Sequence, residues 1–402
     1  MKLLTFSTLY PSSVRPGHGI FVETRLRHLL MTGSVKSVVV APVPWFPSSH
    51  PRFGRYAMFA QTPRQEIHRG IKVLHPRYLL LPKIGMNIAP FLLASACART
   101  LRNIIDRGYS FDVIDAHYFY PDGVAAILLG RLFGRPVVVT ARGTDVTLIP
   151  EHVVPHRLIT WAAQRATFVV TVSSALRSSL ERLGVDPAKI CVLRNGVDLD
   201  AFCPLDREAE RMRLGVDGPL LLSVGHLVER KGHDLVIRSL KWLGDCTLLI
   251  IGDGPERSRL ELLARVTGVG QRVRFIGAVA QAELPRYYSA ADALVLASSR
   301  EGWANVLLEA MACGTPVVAA RVEGTPEVVT SGAAGVLFEP RTHEALGAAI
   351  RQLLRNPPGR DQTRRHAEAF SWDETTRGQL ALFERVVDAR VCPGTGRQHT
   401  ST

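Results

Sequence analysis

The chain has 402 residues, 46% hydrophobic and 21% charged, which are globular proportions that suit two domains, because single cores stop growing near ~250–300 residues. No run of 18 or more uncharged apolar residues offers a bilayer span, and Cys97, Cys191, Cys203, Cys246, Cys313 and Cys392 form no CxxC pair, which argues against a membrane-spanning chain, a disulfide framework and a structural zinc site. The net charge of +13 is lopsided: residues 1–200 carry 24 Lys+Arg against 12 Asp+Glu and residues 201–402 carry 25 against 24, so the first half is either a solvated basic surface or meets an anionic partner.

In chain order, "MKLLTFSTLYP" reads as a first strand and not as a signal peptide, and a reducing cytoplasm is the expected compartment. Short apolar runs follow, each trailed by a helix-length amphipathic segment: "KSVVVA", "FDVIDA", "PVVVTA", "ATFVVTV" and "ICVLRN". After a polar stretch expected to be a linker, residues 196–212, the rhythm resumes with "PLLLSVG", "CTLLIIG", "RVRFIG", "ADALVLAS", "PVVAA" and "AGVLF". Continuous apolar strands alternating with helices predict an α/β protein of two doubly wound parallel-sheet domains facing across a cleft. The expected boundaries are 1–200 and 201–372, with a helix over 373–390 returning to the first domain and a disordered tail at 391–402. Residues 41–90, with eight prolines, interrupt the rhythm and are expected to form a long loop, functional or disordered.

Ligands of open parallel sheets bind beyond the carboxyl ends of the strands. After the first strand, Gly17 and Gly19 in "RPGHGIFVETRLRHLL" serve either a turn or a close backbone approach to an anion. In "SVGHLVERKGHDLVI", Gly225 gives a tight turn and Arg230 with Lys231 precedes a helix, as a diphosphate requires. Gly252 in "IIGDGPERSRL" serves the turn there. In "EGWANVLLEAMACGTPVVA", Asn305 is the expected N-cap, Gly314 the C′ residue and Pro316 the stop, which places Glu309 in the first turns of a helix and Glu301 in the loop before it, both facing the strand-end cleft.

These motifs, with "EGTPEVV", "FIGAV" and "NGVD", resemble the retaining GT-B glycosyltransferases of family 4 over nearly the whole chain. The resemblance implies that the second domain holds a sugar nucleotide, with Glu309 on the ribose hydroxyls, Glu301 beside the donor sugar, and Lys231 and Arg230 on the diphosphate. The loop Gly17–Gly19 would close over the diphosphate from the first domain. The remaining donor contacts expected are Gly225, His226, Gly252, Ile276, Gly277, Gly302, Trp303, Ala304, Asn305 and Val306, the pair Ile276–Gly277 through backbone recognition of the base. Two departures stand out. His226 occupies the place of a common arginine, and "ARGTD" replaces "HGxD", putting Arg142 where many relatives have a histidine while keeping Asp145. An arginine cannot be a base, so a phosphate or acceptor contact is expected of Arg142. His117 resembles a strand-end histidine of the family and is equally readable as a satisfied structural histidine.

The implied reaction is transfer of a sugar from a nucleoside diphosphate to a hydroxyl acceptor with retention, in cell-surface polysaccharide or glycolipid synthesis. Arg230, Lys231, Glu301, His117, Arg142 and Asp145 are its candidate catalytic residues. No Asp-x-Asp element sits at a strand end, so no cofactor and no obligatory metal are expected. A sugar-nucleotide epimerase of the same fold, a nucleic-acid-binding protein and a non-catalytic sugar binder are the competing readings. The second lacks a recognition module, so no nucleic-acid partner is expected. The stretch 78–107, with Lys83, Arg99, Arg102 and Arg107, reads either as a core helix with a solvated basic side or as a segment resting on an anionic membrane. The expected acceptor is therefore anionic or lipid-linked, and the enzyme cytoplasmic with a peripheral seat on the inner face of the membrane.

Overall fold

The computed structural model describes residues 1–80 and 85–391, so Lys83 and all but residue 391 of the tail expected at 391–402 lie outside the described residues, while residue 391 closes the last helix. The chain forms two compact units, Met1–Arg194 rejoined from Asp373 onward, and Asn195–Trp372.

The first unit contains β1 (Lys2–Phe6), β2 (Lys36–Val40), β3 (Val43–Pro44), β4 (Gln65–His68), β5 (Ile71–Leu74), β6 (Arg77–Tyr78), β7 (Val113–His117), β8 (Val137–Ala141), β9 (Phe168–Thr171) and β10 (Ile190–Val192). Eight of them build one sheet in the order β10-β9-β8-β7-β1-β2-β5-β4, while β3 and β6 pair apart. All ladders are parallel except β4 on β5. Strands β7 and β8 are buried along their whole length, so β8 reads as a nearly apolar run while β7 carries Asp115 and His117 inside.

Residues 41–90 differ from the long loop expected of them. They hold β3 to β6, the helix Arg55–Gln61 and the start of the helix Gly85–Asp106. Strands β4 and β5 turn at Arg69 and Gly70, both at positive φ (49° and 81°), the backbone of a type I′ hairpin. By length and composition Gly85–Asp106 is long and apolar enough to cross a membrane. Its Ala89, Leu93, Cys97, Leu101 and Ile104, however, make a buried stripe at helical spacing, as in a core helix.

The helix Trp372–Val391 sends Leu382, Phe383 and Val386 into a cluster with Leu3, Leu29, Val113, Val138 and Val170, so the chain's end completes the first unit's core.

The second unit contains β11 (Leu220–Val224), β12 (Thr247–Ile251), β13 (Val273–Gly277), β14 (Ala293–Leu296), β15 (Val317–Ala320) and β16 (Gly335–Phe338). All are parallel, in the order β13-β12-β11-β14-β15-β16. The segment expected to link the units belongs to this one instead. Residues Arg207–Leu214 form a helix whose Asp206 side chain accepts the Ala209 N–H at 3.1 Å, and Arg211 pairs with Asp292 at 3.1 Å. The polar composition that suggests a linker is that of a surface helix. Each unit is a Rossmann-like α/β layer, as the strand–helix rhythm predicts.

Candidate active site

In the second unit the expected residues gather on the loops after β11, β12, β13 and β14. Leaving β11, Gly225 stands at φ 156°, and a Cβ on Gly252 would lie 1.9 Å from the Gly225 oxygen, so the two strand ends touch backbone to backbone. The chain then forms a 3₁₀ turn, Glu229–Lys231, before the helix His233–Ser239. Lys231 folds its stem back along Gly225 and donates from Nζ to Glu301 Oε1 at 2.5 Å. Ser298 Oγ donates to the same oxygen at 2.7 Å, and Arg230 Nη1 lies 3.8 Å from it while donating to the Arg300 carbonyl at 3.2 Å. Glu301 is only 8% exposed, so these charge-assisted bonds act in a poorly solvated place. Oε2 takes no hydrogen bond from any described residue.

Glu309 sits in the helix Asn305–Ala312, where Tyr288 Oη donates to its Oε2 at 2.9 Å. Burial pushes its carboxyl up to about 7, against the opposing pull of the Tyr288 hydrogen bond. Asn305 is not the N-cap. Ala304 holds that position without a side-chain bond, and the Asn305 Oδ1 accepts from Asn195 Nδ2 at 3.3 Å, which gives the amide a tertiary task instead of a capping one. Trp303 and Ala304 are buried, the Trp303 ring packing tilted at 53° with its centroid 6.1 Å from that of Phe370, so a ligand contact from either comes from backbone. His226 is exposed, while Gly302 and Val306 are half-buried. The ladder of β12 on β13 shifts between Ile250, opposite Phe275, and Ile251, opposite Gly277. Ile276 is thus bulged out of register at a strand end, and the Gly277 carbonyl is spent on the Gly252 N–H at 2.8 Å.

In the first unit, Gly19 is the N-cap of the helix Ile20–Met31 at φ 71°, and a Cβ there would lie 2.4 Å from the Leu9 carbonyl. Its glycine is required by packing, whereas a Cβ on Gly17 would meet nothing. His117, Arg142 and Asp145 do come together. Arg142 Nη2 donates to His117 Nδ1 at 2.7 Å, which makes that nitrogen an acceptor and leaves Nε2–H to donate to Asp115 Oδ2 at 3.1 Å. His117 is therefore a neutral imidazole with both nitrogens engaged, and burial lowers its pKa further. It cannot serve as a base in this arrangement. The Arg142 guanidinium also stacks 4.9 Å from the Phe21 ring, and burial brings its pKa down to about 9. Asp145 accepts the N–H groups of Phe119 (2.7 Å), Arg142 (3.0 Å) and Gly143 (2.7 Å), fixing the loops after β7 and β8 to each other. A cavity of about 380 Å³, rimmed by Arg64, Lys72 and Arg107 over Leu74 and Ile104, is lined by none of the expected site residues.

Residues 206–370 match the model of the glycosyl transferases group 1, and residues 55–201 that of glycosyltransferase family 4. A D-inositol 3-phosphate glycosyltransferase of Geodermatophilus obscurus is 33% identical over 368 residues, 83% of this chain and 81% of the relative. The chain belongs to glycosyltransferase family 4. Its fold is matched by sucrose-phosphate synthase from Thermosynechococcus elongatus, with a TM-score of 0.80 at 22% identity over 96% of this chain and 99% of the other. HepE of Anabaena, solved in complex with UDP-glucose, matches with 0.73 at 20% over 96% and 99%.

For a family 4 glycosyltransferase, four neighbours of the site escaped sequence reasoning. Tyr288 and Ser298 touch the two glutamates from 21 and 3 residues away. His233, buried, meets Ser223 Oγ through Nδ1 at 2.9 Å, and burial takes it down to about 4, so it is a neutral strut behind the Gly225 turn. The fourth is Glu323, and its left-handed backbone carries no simple sequence signal.

Proposed function

We propose that the enzyme transfers a sugar from a nucleoside diphosphate to an acceptor hydroxyl with retention of anomeric configuration and without an obligatory metal. The observation that carries this reading is the convergence on Glu301: one oxygen is held by Lys231, Ser298 and nearby Arg230, while Oε2 takes no bond from a described residue. A carboxylate so held can accept from a sugar hydroxyl while the two cations face the diphosphate. In the reaction, the bond from C1 to the diphosphate oxygen breaks and its electron pair leaves on phosphate. The acceptor oxygen bonds to C1 on the same face, and its proton passes to the departing phosphate. Arg230 and Lys231 stabilise the charge that develops there, which is the largest catalytic contribution expected of such a site. Glu309 accepts from the ribose, and the bulge at Ile276 offers backbone groups to the base.

HepE's complex with UDP-glucose supports a nucleotide-sugar donor for this fold. The phosphate-bearing acceptor in the name of the inositol phosphate glycosyltransferase, together with the +12 excess (24 minus 12) of residues 1–200, supports an anionic or lipid-linked acceptor and a role in surface glycolipid or polysaccharide synthesis. Arg142 is the candidate acceptor contact on a first-unit strand-end loop. Thermal shifts across UDP-, GDP- and ADP-sugars test the donor, since a ligand at 100 times its dissociation constant adds about 2.7 kcal/mol. Labelled donor and a chelator arm then test transfer. A sugar nucleotide that is epimerised instead of consumed, or activity lost to chelation and restored by metal, would overturn the reading.

A further inference from the structure

The loop after β15 carries a feature that the donor-site reading leaves unused. Three described non-glycine residues have positive φ, and Glu323, at 38°, is the one in the second unit. A side chain in that region of backbone space is disfavoured, and such residues persist where their surroundings hold them and function needs them. Here the surroundings are explicit. The next residue, Gly324, donates its N–H to the Glu301 carbonyl at 3.1 Å, and a Cβ on Gly324 would lie 2.4 Å from the Gly302 oxygen. On the same turn, Thr325 Oγ1 accepts the Val322 N–H at 3.0 Å and donates to the Ala320 carbonyl at 2.6 Å. The turn is therefore pinned to the Glu301–Gly302 loop.

The pinning sets a second carboxylate beside the first. The Glu323 side chain is half-buried, its carboxylate faces the Glu301 N–H with Arg300 and Arg230 nearby, and burial followed by the Glu301 charge pushes its pKa up. A glutamate placed for solubility would need neither the left-handed backbone nor a like charge as neighbour. Both costs make sense where two acceptors must meet two adjacent donors on one ligand.

We propose that Glu323 is a specificity-determining residue that accepts a hydrogen bond from a hydroxyl of the donor sugar neighbouring the one held by Glu301. This rests on the donor-site reading above. Two fixed carboxylates read the configuration of adjacent carbons, because an epimer turns one hydroxyl away and leaves a buried acceptor unpaired. They also reject uronic acid donors by like-charge repulsion.

The test uses Glu323→Gly and Glu323→Gln with glucose, galactose, mannose and glucuronate donors carrying whichever of UDP, GDP or ADP stabilises the wild-type protein most. Glu323→Gly relieves the backbone, so its thermal midpoint rises, while affinity for the free nucleoside diphosphate stays within about twofold. In both variants the kcat/KM ratio between the preferred hexose and its epimers falls at least tenfold, and turnover of the glucuronate donor rises. Unchanged ratios would overturn the proposal and leave the donor site standing. A lower midpoint for Glu323→Gly would overturn it too, by making Glu323 a support of the loop. If Lys231→Ala leaves nucleoside diphosphate affinity intact, the donor-site reading fails, and this proposal with it.

Discussion

At the ends of β7 and β8 the first unit holds Asp115, His117 and Asp145, each no more than 1% exposed, and at the end of β14 the second unit holds Glu301 at 8%. In the first, Asp145 is bonded through both oxygens, and Asp115 and Asp122 through Oδ2 alone. Asp145 takes three backbone N–H groups, Asp115 takes His117, and Asp122 takes the Thr8 N–H at 2.7 Å and the Thr8 hydroxyl at 2.9 Å. In the second, three partners crowd one oxygen of Glu301, and among the described residues the Glu309 carboxylate has Tyr288 as its side-chain hydrogen-bond partner. Asp145, bonded through both oxygens, is scaffold in one unit, while Glu301 in the other keeps an oxygen that takes no bond from a described residue. A buried carboxylate bonded through both oxygens, as Asp145 is, ties loops together, while Asp115 and Asp122 each leave Oδ1 without a partner among the described residues, so an unbonded oxygen marks a ligand site only beside converging cations such as those at Glu301.

The contrast breaks most visibly at Asp145. Asp145→Ala strands three buried N–H groups, each worth about 1–3 kcal/mol when left unsatisfied, so with partial relaxation about 3–5 kcal/mol of stability should vanish. Urea unfolding measures it. Lys231→Ala should cost far less stability, and equal losses would erase the distinction between scaffold and site.

The next effect comes from Glu309, whose carboxyl titrates near 7 in the folded protein against 4.5 for an ordinary glutamate. Between those values the folded chain keeps a proton that the unfolded chain has lost. Stability from this group is therefore full below the ordinary value and fades as pH rises through 7, by roughly 3 kcal/mol. Asp122, also raised to about 7 by burial, acts in the same direction, so the comparison that isolates Glu309 is wild type against Glu309→Gln. Nucleoside affinity should move oppositely and rise toward pH 7, because ribose hydroxyls need an ionised acceptor. A flat affinity profile would remove Glu309 from the ribose.

Lys231→Ala should weaken nucleoside diphosphate binding by about 1.5–2 kcal/mol and leave the nucleoside nearly untouched, since a charge-assisted bond acts on phosphate. Glu301→Ala should do the reverse: near-normal diphosphate affinity with turnover down at least about tenfold. Calorimetry with both ligands separates them. Equal effects on the two ligands would mean that the Lys231–Glu301 pair acts as one structural clasp.

What could be read from residues alone follows the same physics. Strands buried on both faces, such as "ALVL" of β14, announce themselves, and the loops after them carry the charged and glycine residues that chemistry needs. Strand β4, "QEIH", does not, because it lies at a sheet edge with alternate residues exposed. Tyr288 against Glu309, Asn195 against Asn305 and the turn pinned on Glu301 are long-range contacts, and no local pattern encodes them. The Asn305 misreading shows the limit well. Its residue type favours a cap, but a tertiary partner took the amide.

The smallest expected effect sharpens the comparison from the surface. Along the helix Gly85–Asp106, the face away from the core exposes Phe91 (48%) and then Arg99 and Arg102, and the preceding Leu79 (52%) and Leu80 (45%) are exposed as well. Apolar groups followed by cations on one face suit an anionic bilayer, where the leucines and Phe91 enter the interface and the arginines meet phosphate. Each basic residue adds roughly 1 kcal/mol at low salt and less as salt screens it. Sedimentation with vesicles should therefore show binding that rises with the anionic lipid fraction and falls with added salt. Arg99→Glu with Arg102→Glu should reduce it while leaving nucleoside diphosphate affinity unchanged, because those two residues belong to the first unit and Arg230 and Lys231, the proposed diphosphate contacts, to the second. Indifference to lipid charge at low salt would assign the exposed face to the solvent and make a water-soluble anionic acceptor the better partner for the basic half.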